Sequence, residues 1–157
     1  MSVRRYSCAS AAVALSLLCV TAAHAGEDRG YAASNPTWSS ECGTCHMPYP
    51  PQLLAPEAWA KIMRSLGRHF GTDASIDAAA EKEISAFLQR QSAGAKRRKA
   101  DPQTMRITET AWFKRKHDEL APEVWKRPAV KSASNCAACH TEAERGIYSE
   151  HAVRVPR

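Results

Sequence analysis

One five-residue pattern occurs twice in this chain. Cys42-Gly43-Thr44-Cys45-His46 and Cys136-Ala137-Ala138-Cys139-His140 both read C-x-x-C-H. Each copy commits two thiols and the next imidazole to one small ligand. Two intervening residues give a turn that lets both sulfurs reach the two vinyl groups of a single porphyrin. The adjacent histidine then lies under the iron as its proximal ligand. That spacing marks covalent attachment of c-type haem. The chain has 157 residues with six cysteines and six histidines. One copy by chance is already rare in that composition, and two by chance rarer still. The expectation is two covalently attached c-type haems, held by Cys42, Cys45, Cys136 and Cys139, with His46 and His140 as proximal ligands.

Four cysteines have two other common uses. An exported chain can pair them as disulfides. Paired C-x-x-C units also bind zinc, but zinc ribbons separate the pairs by about 15–20 residues. Here Cys45 and Cys136 lie 91 positions apart. Neither use explains why a histidine follows both pairs.

Export itself is written at the start. Arg4 and Arg5 form a basic n-region, Cys8 to Val20 an apolar core, and Ala23-His24-Ala25 a small-residue cleavage site before Gly26. The reading is a signal peptide over 1–25, cleaved after Ala25, and a periplasmic protein. The apolar stretch is too short for an anchor. No later run approaches the roughly 18 apolar residues of a membrane span, so no stable membrane insertion is expected. With 44% hydrophobic and 24% charged residues, wholesale disorder is excluded. The length allows one ordinary domain or two very small ones, not a large two-domain enzyme.

The formal charge of +6 falls to +4 once Arg4 and Arg5 leave. Four haem propionates then offset about four positive charges, and each ferric iron returns about one. The holoprotein is expected near neutral to slightly positive. Basic patches remain at Lys96–Lys99 and Lys114–Lys116, and such patches steer an acidic partner more than they add affinity. Nucleic acid is not an expected partner for an exported chain.

Helical signals organise the rest. Met47-Pro48-Tyr49-Pro50-Pro51 reads as a stiff extended turn. Pro56-Glu57 opens a helix, and Trp59, Ile62, Met63 and Leu66 form one apolar face. Gly67 and Gly71 end that region. A second helix is expected from about Ile76 or Asp77 to Gln91, with Ile84, Phe87 and Leu88 as its stripe and Gly94 as its close. Residues 96–105 read as a linker. Thr110 caps a short helix through Trp112, Phe113 and His117, and Pro122-Glu123-Val124-Trp125 opens another. The expected fold class is mainly α: a class I cytochrome-c-like N-terminal lobe over 26–95 and a small irregular or helical C-terminal lobe over 106–157. The second lobe places its attachment motif last, so it does not repeat the first.

Each iron has a second axial face, filled in an electron carrier by histidine or methionine. His69 lies 24 residues after Cys45, at the end of the helix that follows the first motif and before Phe70-Gly71. A loop there swings the imidazole back over the porphyrin. Met63 is its rival, but it belongs to the apolar stripe. His117 lies 22 residues before Cys139, beside Trp112 and Phe113. His151 is six residues from the end, where chains fray, and is the weaker candidate. His69 and His117 are therefore the expected distal ligands.

The chain resembles the small exported dihaem cytochromes c called DHC. The resemblance rests on Cys42–His46 with Tyr49-Pro50-Pro51, on Trp59-Ala60-Lys61-Ile62-Met63 with His69-Phe70-Gly71, on Arg106-Ile107-Thr108-Glu109-Thr110, and on Trp125-Lys126-Arg127-Pro128-Ala129-Val130 leading into Cys136–His140. It spans nearly all of the mature chain. It implies bis-histidine ligation of both haems, with His69 and His117 at the matching positions, and no role for His151. It also implies electron transfer with a small monohaem cytochrome of the sphaeroides haem protein type.

The expected function is a dihaem electron carrier between redox proteins, not an enzyme. Two alternatives stay open. One is the small dihaem subunit of a periplasmic reductase. The other is a dihaem peroxidase or gas-binding protein, which needs one open iron.

Overall fold

The structure is a computed structural model, and it describes residues 31–94 and 101–157. The signal segment 1–25, the start of the mature chain and the basic run Lys96–Lys99 lie outside the described residues.

Three helices build the first half. Helix α1 spans Pro36–Gly43. Pro36 sits where its missing N–H costs nothing, and the Asn35 side chain accepts from Trp38 N at 2.6 Å. Helix α2 spans Pro56–Met63, again with proline at its first position. Helix α3 spans Ala78–Ser92. Asp77 caps it, its carboxylate accepting from Ala79 N at 2.9 Å and Ala80 N at 3.0 Å.

Their apolar faces meet in one cluster. Trp38, Leu54, Ala58, Trp59, Ile62, Met63, Ile84, Phe87 and Leu88 are all buried in it. Each large member stabilises the fold by roughly 1.5–3 kcal/mol when removed from water. Trp38 packs on Phe87 with ring centroids 5.2 Å apart, which ties α1 to α3. The buried Trp59 indole donates to Pro51 O at 2.7 Å, so its one polar atom is satisfied. Glu83 on α3 accepts from both Asn35 and Thr37, a second tie to α1.

The second half has far less regular structure. Thr110 Oγ1 accepts from Phe113 N at 3.1 Å and starts helix α4, Ala111–Lys116. The rest is short 3-10 turns at Ile107–Glu109, Pro122–Lys126, Cys136–Ala138, Ala143–Arg145 and Glu150–Ala152. Its buried apolar residues are Phe113, Val124, Val130, Cys139 and Ala143. The described residues hold no strands. Two isolated bridges, His69 to Thr72 and His140 to Val153, are the only ladder-like pairings among them.

The halves touch at named points. Tyr31 N donates to Gly146 O at 2.6 Å, and the Tyr49 hydroxyl donates to Ser134 O at 2.8 Å. Gly146 has φ +73°, and a Cβ there would sit 2.8 Å from the Tyr31 carbonyl carbon. Only glycine fits so close a backbone approach.

Several expectations shift. Helix α2 stops at Met63, and Leu66 falls in a 3-10 turn, Leu66–Arg68, although it still packs against the core. Gly94 is not a left-handed cap: the residue that ends α3 is Ala93, in right-handed helical conformation, and the positive-φ glycines among the described residues are Gly71 and Gly146. Pro122–Lys126 is 3-10 rather than α. Helix α1 was not anticipated, because Trp38 is its one buried residue and makes no stripe.

Candidate functional site

The first motif starts on a helix and ends in a turn. Cys42 lies in the last turn of α1, which ends at Gly43, and Cys45 and His46 follow in the connection to Pro48. His46 Nδ1 lies 2.8 Å from Met47 O. That bond fixes the tautomer and leaves Nε2 as the nitrogen with a free lone pair. Tyr49 stacks on the same ring, centroids 4.7 Å apart.

His69 comes to this ring from the far end of α2. Its N–H closes the Leu66–Arg68 turn onto Leu66 O at 3.1 Å, and its carbonyl accepts from Thr72 N at 3.0 Å. Between them the chain reverses through Phe70 at φ +51° and Gly71 at φ +101°. A left-handed phenylalanine is unfavourable, so this reversal is bought with backbone strain. It places the His69 ring 6.2 Å from the His46 ring, centroid to centroid, with 22° between their planes. A cavity of about 100 Å³ beside it is lined by Ile62, Ser65, Arg68, His69, Phe70 and Met105.

The second motif is built on a 3-10 turn. Cys139 N and His140 N both donate to Cys136 O, at 3.2 and 2.8 Å, which folds the two cysteines and the histidine around one carbonyl. Arg154 N donates to Cys139 O at 2.9 Å, and the Arg127 guanidinium donates to Pro156 O at 2.6 Å. The C-terminal tail is therefore tied to the motif rather than frayed. His151 on that tail is exposed, and among the described residues no ring contact joins it to a motif histidine.

His117 is the residue at which α4 ends. Its Nδ1 lies 2.9 Å from Phe113 O, and its ring stacks on Phe113 at 4.0 Å. Trp125 closes the other side at 5.8 Å. This aromatic wall holds the His117 ring 6.1 Å from the His140 ring, with 81° between planes.

Both histidine pairs pass the same geometric test. A metal–imidazole bond of about 2.0–2.1 Å, with about 1.1 Å from ring nitrogen to ring centre, puts two imidazoles on one metal about 6 Å apart. The pairs stand at 6.2 and 6.1 Å. Burial, with the neighbouring His46 and Arg106 charges adding, holds His69 below the usual histidine range, and burial and His117 do the same to His140. Both shifts favour the neutral imidazole that ligates metal. Met63 is buried in the core, which leaves it as packing.

The four thiols are free, so no disulfide competes. Burial pushes Cys42 and Cys136 up to about 11 and raises Cys139 as well. Burial thus favours the neutral thiol at these three positions. Among the described residues no three His, Cys, Asp or Glu side chains gather as a metal cluster.

Three aromatic residues around the sites carry no site role in the sequence, although Tyr49 stands in one of the strings behind the resemblance. Tyr49 stacks on His46, Tyr148 lies 5.1 Å from His140, and Tyr31 meets Tyr148 edge-on at 5.5 Å. They sit in irregular segments without periodicity, so no local spacing marks their part at the sites.

A small helical protein with two C-x-x-C-H turns, each facing a second imidazole, belongs to the c-type cytochromes. Residues 38–148 match the family model for dihaem cytochrome c, DHC, and the chain belongs to that family. It is similar to the diheme cytochrome c from Rhodobacter sphaeroides, with 42% identity and a TM-score of 0.67 over 74% of this chain and 98% of that one. It is also similar to the diheme cytochrome type c of Shewanella baltica, with 40% identity and a TM-score of 0.68 over 78% and 93%. No curated protein matches. The protein carries two c-type haems, and its family is one of electron-transfer cytochromes.

Proposed function

We propose that this protein is a periplasmic electron carrier whose two haems are both bis-histidine, His46 with His69 and His140 with His117. The observation that carries this reading is the pair of ring separations, 6.2 and 6.1 Å. The bound haems supply a one-electron ferric/ferrous couple. The chain's residues do the rest. Cys42, Cys45, Cys136 and Cys139 hold the groups, and four imidazoles fill the axial positions so that none is left for a substrate. That is the basis for reading the protein as a carrier and not an enzyme. Histidine in place of methionine also keeps the potentials low.

The lobes are read as 26–95 and 106–157, joined by 96–105, after removal of the signal segment 1–25. No helix among the described residues is long and apolar enough to cross a membrane. The partner is a redox protein, and a small monohaem cytochrome suits the two haems. Lys114, Arg115 and Lys116 on α4 are exposed, beside the residues that hold His117. Lys116 pairs with Glu150 at 3.4 Å. This basic patch would steer an acidic surface toward the second haem.

Single His→Ala variants test the ligation. His69→Ala and His117→Ala should each turn one haem per molecule high-spin and open it to carbon monoxide. His151→Ala should leave the spectrum unchanged. A His117→Ala protein that stays fully low-spin, with a high-spin His151→Ala protein, would transfer the second ligand to the C-terminal tail.

A further inference from the structure

The Nδ1 atoms of the candidate ligand histidines are not treated alike. His46 Nδ1 has Met47 O at 2.8 Å, and His117 Nδ1 has Phe113 O at 2.9 Å. His140 Nδ1 is buried and has no hydrogen-bond partner. A metal-bound histidine almost always gives this N–H to a carbonyl, a carboxylate or water, because the bond sets ring orientation and ligand basicity.

A second buried polar atom without a partner belongs to the neighbouring ring. The Tyr148 hydroxyl is enclosed and makes no hydrogen bond, and its ring centroid lies 5.1 Å from that of His140. Buried polar groups are rarely left unpaired. Here an imidazole N–H and a phenol oxygen, each lacking a partner, lie on adjacent rings and are chemically complementary. Tyr148 is also well held. Tyr31 packs edge-on against it at 5.5 Å and against Trp112 at 6.3 Å. The Tyr31 N–H to Gly146 O bond of 2.6 Å pins the backbone two residues before it.

We propose that Tyr148 is a positioning residue for the second haem, its hydroxyl accepting the Nδ1 proton of His140 through one bridging water. This rests on the ligation proposed above for His140. A phenol oxygen is a weaker acceptor than a peptide carbonyl. His140 therefore gains less anionic character than His46, stabilises the ferric state less, and gives the second haem the higher potential of the two.

Tyr148→Phe keeps the ring packing and removes only the oxygen. Redox titration of the holoprotein should show the second-haem potential rising in this variant while the first stays in place. The wild-type ferric protein supplies an independent reading by proton NMR. A His140 Nδ1–H that exchanges slowly with deuterated water, with a through-space contact to the Tyr148 ring, supports the proposal. An unmoved or lowered second-haem potential in a low-spin Tyr148→Phe protein overturns it, as does a freely exchanging Nδ1–H with no such contact. A high-spin second haem in the wild type would instead refute the ligation beneath it.

Discussion

The first attachment motif grows out of a helix packed in a core, and the second out of a 3-10 turn in a half with little core. Trp38 buries α1 against Phe87, so Cys42 is positioned by apolar packing that exists without the haem. Around Cys136 and Cys139 the chain is held by backbone turns, by the tail bond from Arg154 N to Cys139 O, and by five buried apolar residues. The two sites are alike in the separation of their histidine rings, while different sources of stability lie behind them. The first half has a hydrophobic core of its own, and the second has few buried apolar residues around its motif.

The largest effect that would break this contrast comes from removing the second attachment. Replacing both Cys136 and Cys139 with serine should lower the intact mass by one haem. It should also abolish amide-exchange protection over 106–157, while α2 and α3 stay protected. Equal loss of protection in both halves would show one cooperative unit instead. The next effect lies in the first core. Ile84 is fully buried, and Ile84→Ala should cost about 2–5 kcal/mol in denaturant unfolding without changing the spectrum of the second haem. The smallest is a cap. Asp77 accepts from two α3 amides, and Asp77→Ala should cost about 1 kcal/mol, read as a lower midpoint for the first half alone.

The legibility of the two halves in the sequence follows the same division. Periodicity and a proline start expose α2, and the stripe of Ile84, Phe87 and Leu88 exposes α3, because amphipathic burial leaves a repeating signature. The attachment residues are plain for a different reason: their chemistry demands adjacency in the chain. His69 and His117 are reached by elimination among few histidines. The strained Phe70 reversal, the stacking of Tyr49 and the neighbourhood of Tyr148 are not legible, since each depends on a tertiary contact that leaves no mark in local spacing. Helix α1 is missed because a single buried tryptophan has no period.

The ring planes carry the comparison down to the iron. An imidazole's π orbital mixes with the iron d orbital perpendicular to its plane. Two nearly parallel rings, as at 22° for His46 and His69, raise the same d orbital and split the pair. Two nearly perpendicular rings, as at 81° for His117 and His140, raise both about equally. Electron paramagnetic resonance of the fully ferric holoprotein reads this directly. The two ring geometries predict two low-spin signals of equal weight, one rhombic from the first haem and one strongly anisotropic, with an unusually large leading g value, from the second. A high-spin signal in the wild-type protein, or a single low-spin species integrating to one haem, would contradict bis-histidine ligation of both.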